Sequence, residues 1–161
     1  MTHFSAVHAS RSGSIQLDAP IEEVFPLFGP VREAEWAEGW QIEPLYAATP
    51  LLEEAGAVFQ TRQHGEAVTL WIIQRFERET HGISYARVTP GLHLVTIEID
   101  CTSSSRGTDA RVTYTLIGLS DEGNRFIETE FSESGYQHML GQWEQAINHL
   151  LKTGQMLAHH S

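Results

Sequence analysis

Ser14-Ile15-Gln16-Leu17-Asp18-Ala19-Pro20-Ile21-Glu22-Glu23-Val24-Phe25 changes from a two-residue period to a helical one within a single short stretch. Ile15 and Leu17 share one face of a strand over residues 13–19. Pro20 suits the start of a helix, where its missing donor is not needed, and Glu22 and Glu23 follow where the helix dipole favours negative charge. Ile21, Val24, Phe25 and Phe28 then make an apolar stripe; Pro26 lies early enough to be tolerated, and Gly29-Pro30 ends the helix. A second short helix over residues 31–38 carries Ala34 and Trp36 and stops at Gly39.

Downstream, the period of two returns. Residues 41–48, 56–63, 67–77, 82–88, 92–103 and 109–119 read as strands rich in Val, Ile, Thr, Tyr and Phe. Turn signals separate them at Thr49-Pro50, His64-Gly65, His81-Gly82, Pro90-Gly91 and Ser105-Arg106-Gly107, and connections this short imply antiparallel neighbours. After Asp121-Glu122-Gly123 a helical period sets Ile127, Phe131, Met139, Trp143, Ile147 and Leu150 on one side, joined by Leu140 and Leu151. This reads as one long helix, kinked at Gly135 and capped by Gly154, with His159, His160 and Ser161 as a frayed tail. The expected architecture is α+β: a curved seven-stranded antiparallel sheet around a long C-terminal helix, with two short helices after the first strand.

Composition narrows the function. A chain of 161 residues, 41% hydrophobic and 19% charged, reads as one domain with an ordered core over about residues 13–154 and flexible termini. Ten basic residues against twenty-one acids give a formal charge of -11, which repels nucleic acid and anionic membranes. No stretch approaches a membrane span, and residues 1–13 hold no apolar run of a secretory signal, so the expectation is a cytoplasmic protein without integral membrane association. Cys101 is the sole cysteine, which rules out an internal disulfide.

The opening strand and helix quoted above, the stretch Trp36 to Tyr46 with Trp36, Gly39, Trp40 and Tyr46, and the closing Trp143-Glu144-Gln145-Ala146-Ile147-Asn148-His149-Leu150-Leu151 resemble the START-like, or SRPBCC, superfamily of helix-grip proteins. That superfamily spans birch-pollen-allergen-like proteins, polyketide cyclases, lipid-transfer domains and coenzyme-Q-binding proteins. It has no shared catalytic motif, so the resemblance implies the fold and an internal cavity, and activity must be argued from the site.

Trp36, Trp40, Trp71, Tyr85, Tyr114, Phe131, Tyr136, Met139 and Trp143 are the candidate lining of such a cavity, since aromatic and Met side chains offer large, adaptable apolar surface. The alternative for each is a place in the solid core. His93 shares its strand face with Val95, Ile97, Ile99 and Cys101, an apolar row that should point inward while Glu98 and Asp100 meet water. Ile83, Tyr85 and Arg87 share another face. If that face is concave, Arg87 is a buried cation awaiting an anion; if convex, it is solvated.

His93, Tyr85 and Arg87 are thus the candidate catalytic residues, with a structural role for His93 as the alternative. No phosphate loop, no His-Glu-x-x-His and no other credible metal spacing occurs, and Lys152 is the only lysine, so neither cofactor nor metal is expected. Cys101 on an apolar face reads as an inert core residue. Three functions follow: binding or transport of a hydrophobic molecule (a lipid, an isoprenoid or a polyketide-like aromatic), a cyclase or aromatase-like enzyme, and a protein-interaction module like the heat-shock ATPase activators of the superfamily. The oligomeric state is not legible.

Overall fold

The computed structural model describes residues 3–63 and 67–158. The expected turn at His64-Gly65 and the tail from His159 lie outside the described residues. Seven strands form one antiparallel sheet: β1 (His8–Leu17), β2 (Glu43–Tyr46), β3 (Val58–Gln63), β4 (Ala67–Glu77), β5 (Gly82–Thr89), β6 (His93–Ser104) and β7 (Gly107–Gly118). Their order is β1-β7-β6-β5-β4-β3-β2, so the first strand pairs with the last and the link from β1 to β2 runs from one edge of the sheet to the other. Register shifts between Pro44 and Tyr46 and between Ile73 and Arg75 mark bulges, the device that bends a sheet.

β1 starts at His8, earlier than the expected residue 13, because ladder pairing of His8 with Ile117 extends it through a polar stretch that carries no apolar alternation. The link from β1 to β2 holds α1 (Ile21–Val24), a 3-10 turn (Phe25–Phe28) and a second 3-10 turn (Arg32–Glu35). The second is shorter than the expected helix because Trp36 turns inward and donates its indole N–H to the Leu27 carbonyl at 2.8 Å.

The helical segment after β7 is two helices, α2 (Asp121–Glu130) and α3 (Glu133–Thr153), in place of one kinked at Gly135. The break is chemical: the Ser132 hydroxyl accepts the Gly135 N–H and starts a new N-terminus. The triplet Asp121-Glu122-Gly123 is the first turn of α2, whose N-cap is Ser120, and Gly154 caps α3 at φ 73°.

α3 closes the sheet by covering the free edge of β1. Glu144 accepts the Gln16 N–H at 2.7 Å, and the Asn148 amide accepts from Asp18 N–H at 2.8 Å and donates to the Gln16 carbonyl at 3.0 Å. Backbone groups that would invite another strand are thereby satisfied within the chain. The Tyr136 hydroxyl donates to the Val112 carbonyl and fixes the start of α3. Tyr136→Phe is expected to lower stability by about 1 kcal/mol with the fold retained, measured by urea denaturation. An unchanged midpoint would mean that apolar packing alone seats the helix. Among the described residues, no helix is long and apolar enough to cross a membrane.

Candidate functional site

The inward row of β6 is His93, Val95, Ile97, Ile99 and Cys101, all buried, with Glu98 and Asp100 exposed on the other side. Register carries this inward face to its neighbours: Ile97 lies opposite Tyr85 and Tyr114, Val95 opposite Arg87, and Arg87 opposite Trp71. Arg87 is therefore on the concave side of the sheet.

α3 packs along β1 at one end, and between the sheet and the helices toward β3 and β4 a cavity of about 360 Å³ remains. Six of the nine aromatic and Met candidates line it: Trp40, Trp71, Tyr114, Phe131, Met139 and Trp143. Trp36, Tyr85 and Tyr136 stand one layer behind. Tyr85 donates its hydroxyl to the Phe28 carbonyl at 2.6 Å and meets the Trp71 ring edge-on at 5.7 Å. Trp36 backs Trp143 at 5.6 Å, and Tyr136 backs Tyr114 at 5.3 Å. Each thus fixes a lining ring while its own polar atom is used up on backbone, which suits an apolar wall held in one shape.

Four titratable groups interrupt that wall, besides the hydroxyls of Thr61, Thr69 and Thr89. Arg87 lies 5.5 Å from the centroid of the Trp71 ring, has no carboxylate partner among the described residues, and has its pKa lowered by burial. His93 is buried beside Phe126, at 5.1 Å between rings, and its Nδ1 has no hydrogen-bond partner among the described residues. Burial, and then the neighbouring Arg87 charge, lower its pKa to about 4, so the ring is neutral at physiological pH. The Tyr114 phenol is pushed up by burial against an opposing pull from Arg87, and stays protonated. Cys101 lies elsewhere on the sheet, and burial pushes its thiol up to about 12, so it is no nucleophile.

Glu33 is the fourth, and sequence reasoning passed over it. It lies on the 3-10 turn Arg32–Glu35, faces the cavity, and is pushed up to about 8 by burial. It pairs with neither Arg87 nor any other cation among the described residues. The one available signal was its i,i+3 spacing to Trp36, which sets both on one face of a helical turn. The site therefore offers a fixed cation, a carboxylic acid that keeps its proton near neutrality, a phenol and a neutral imidazole, all against aromatic walls. His93 and Arg87 share the cavity, whereas the Tyr85 hydroxyl is committed to backbone.

No protein-family model and no curated protein matches the chain. Solved structures do. An uncharacterised protein from Rhizobium leguminosarum is 15% identical with a TM-score of 0.64, over 90% of this chain and 97% of its own. Norcoclaurine synthase from Thalictrum flavum is 11% identical with a TM-score of 0.62, over 92% and 89%. DynU16, a protein of the dynemicin biosynthetic locus, is 16% identical with a TM-score of 0.61, over 91% of this chain and 48% of its own. At such identities the likeness speaks for the fold. Strand order, the short helices after β1 and the closing helix on the edge strand agree with it: the chain has a helix-grip fold, which it shares with these proteins.

Proposed function

We propose that this chain binds a compact, mostly apolar small molecule in the cavity between its sheet and α3, as a binding or carrier protein. The observation that carries this reading is the cavity of about 360 Å³, walled by Trp40, Trp71, Tyr114, Phe131, Met139 and Trp143. A cavity of about 150 Å³ takes one benzene, so this volume suits a body of roughly two to three rings or a short isoprenoid better than a long lipid chain.

The uncharged fluorophore N-phenylnaphthylamine tests it. Its emission is expected to rise to saturation at one site, and Met139→Trp, which extends a bulky ring into the cavity, is expected to weaken uptake about tenfold with the fold kept. Folded wild-type protein that takes up no fluorophore would sink the reading. Native mass spectrometry before and after denaturing extraction then identifies any ligand that co-purifies.

A cyclase-like enzyme is the second reading, favoured by Glu33, Tyr114 and His93 facing one cavity. Proton transfer would then pass through Glu33, the group whose pKa is nearest to neutrality from above. An interaction module would use the outer face of the sheet, where Tyr46 and Ile72 stand exposed on either side of Val58.

A further inference from the structure

The cavity wall contains one positive charge that the apolar reading does not explain. Arg87 is half-buried in that wall, and a guanidinium partly withdrawn from water loses part of its hydration, which a folded protein normally returns with a carboxylate or a set of carbonyl acceptors. Arg87 has no carboxylate partner among the described residues. The acid in the same cavity does not serve, because Glu33 lies beyond ion-pair distance and keeps its own proton. The Trp71 ring face offers Arg87 a cation–π contact, which orients the charge without using its planar donors.

We infer that the ligand carries an anionic group, a carboxylate or sulfonate on a compact ring system, which binds Arg87 while its apolar body lies against Trp40, Trp71 and Trp143. The inference rests on the cavity-binding reading and narrows it from apolar molecules in general to amphiphilic aromatic acids. The geometry supports it in three ways. The register pairs place Arg87 between Trp71 and Val95 on the concave face, and its half-buried side chain lines the cavity together with the Trp71 ring. The Tyr114 phenol, close enough to feel the Arg87 charge, supplies a neutral donor to the same anion. The other acid in the cavity is protonated near neutrality, so it does not repel an incoming anion there and offers a donor to a carbonyl or hydroxyl at the ligand's far end. A planar guanidinium also recognises a planar anion through two parallel hydrogen bonds, which an ammonium group does not.

Two fluorophores with nearly the same body separate the charge from the rings. Anilinonaphthalene sulfonate carries the anion, and N-phenylnaphthylamine lacks it. Wild-type protein at pH 7 is expected to bind the sulfonate at least about tenfold more tightly. Arg87→Gln is expected to lower sulfonate affinity by about tenfold to a hundredfold and N-phenylnaphthylamine affinity by less than about twofold. Arg87→Lys should fall between the two. Arg111→Gln removes an exposed cation from β7 and should leave both affinities unchanged. The wild-type preference needs no variant, so it is readable even if Arg87→Gln folds poorly. Equal affinities for the two fluorophores, or equal weakening of both by Arg87→Gln, would overturn the inference and leave the cavity reading intact. Uptake of neither by folded wild-type protein would overturn the cavity reading itself.

Discussion

Gly123→Ala is expected to destabilise the protein by about 3 kcal/mol or more, through steric conflict with backbone. A methyl group at this position would sit 1.6 Å from the Leu92 carbonyl oxygen and 2.7 Å from its carbon. Neither atom can rotate away. Leu92 lies in the turn between β5 and β6, and its oxygen already accepts the Leu119 N–H at 2.8 Å. Gly123 is equally constrained, because its N–H is capped by the Ser120 hydroxyl at 3.0 Å.

Intrinsic helix propensity points the other way and favours alanine by about 1 kcal/mol, so the sign of the measured change separates the two effects. Gly141, in the middle of α3 with nothing within 4 Å of an added methyl, is the matched control, and Gly141→Ala should stabilise by about 0.5–1 kcal/mol. Urea denaturation of both variants checks the pair. Any shift of α2 also carries Phe126 and Phe131, so the first variant should distort the cavity as well. A fully stable Gly123→Ala would mean that α2 stands further from the β5–β6 turn than described.

Glu33→Gln is expected to stabilise the protein by about 1–3 kcal/mol above pH 8 and to change little near pH 4. The native carboxyl holds its proton up to about 8, whereas the ordinary value of 4.5 applies once the chain unfolds. Between these values the native state binds more protons than the unfolded state, so this group's contribution is complete at low pH and is lost as pH rises toward 8. The separation corresponds to a limit of about 5 kcal/mol, which the opening of the side chain to the cavity reduces to the range given.

His93 acts in the opposite sense. Its pKa falls from 6.5 to about 4, so its contribution is present above 6.5 and is lost as pH drops toward 4. The two slopes oppose each other between about pH 4.5 and 6.5, and wild-type stability should be nearly flat there before falling between about 6.5 and 8. Thermal melts across that range read this directly, with about 2–4 °C per kcal/mol for a chain of this length. A Glu33→Gln profile parallel to the wild type would show that Glu33 ionises normally in the folded protein.

Much of the fold was legible because it is written in near-neighbour patterns. The alternation in residues 92–103 identified the inward row from His93 to Cys101, since successive strand residues must face opposite ways. The stripe Ile21, Val24, Phe25 and Phe28 announced the short helix, and all four residues are buried. Gly154 reads as a cap from its place after the last apolar residue, and it adopts the left-handed backbone a cap requires. The site was legible only in part. Six of the nine aromatic and Met candidates reach the cavity, but an aromatic residue on an inward face looks the same in sequence whether it lines a space or supports the ring that does.

The order of the elements, their periods and the apolar face of each are thus set locally, because nearest-neighbour backbone sterics and short-range burial patterns decide them. The folded chain is needed to see that Arg87 lines the cavity, that Glu33 joins it there, that Tyr85 donates its hydroxyl to Phe28, and that Gly123 must remain glycine. Each of these depends on atoms brought from elsewhere in the chain by a curved sheet. A half-buried charge or a forbidden methyl is defined by the surroundings, and local sequence does not contain them.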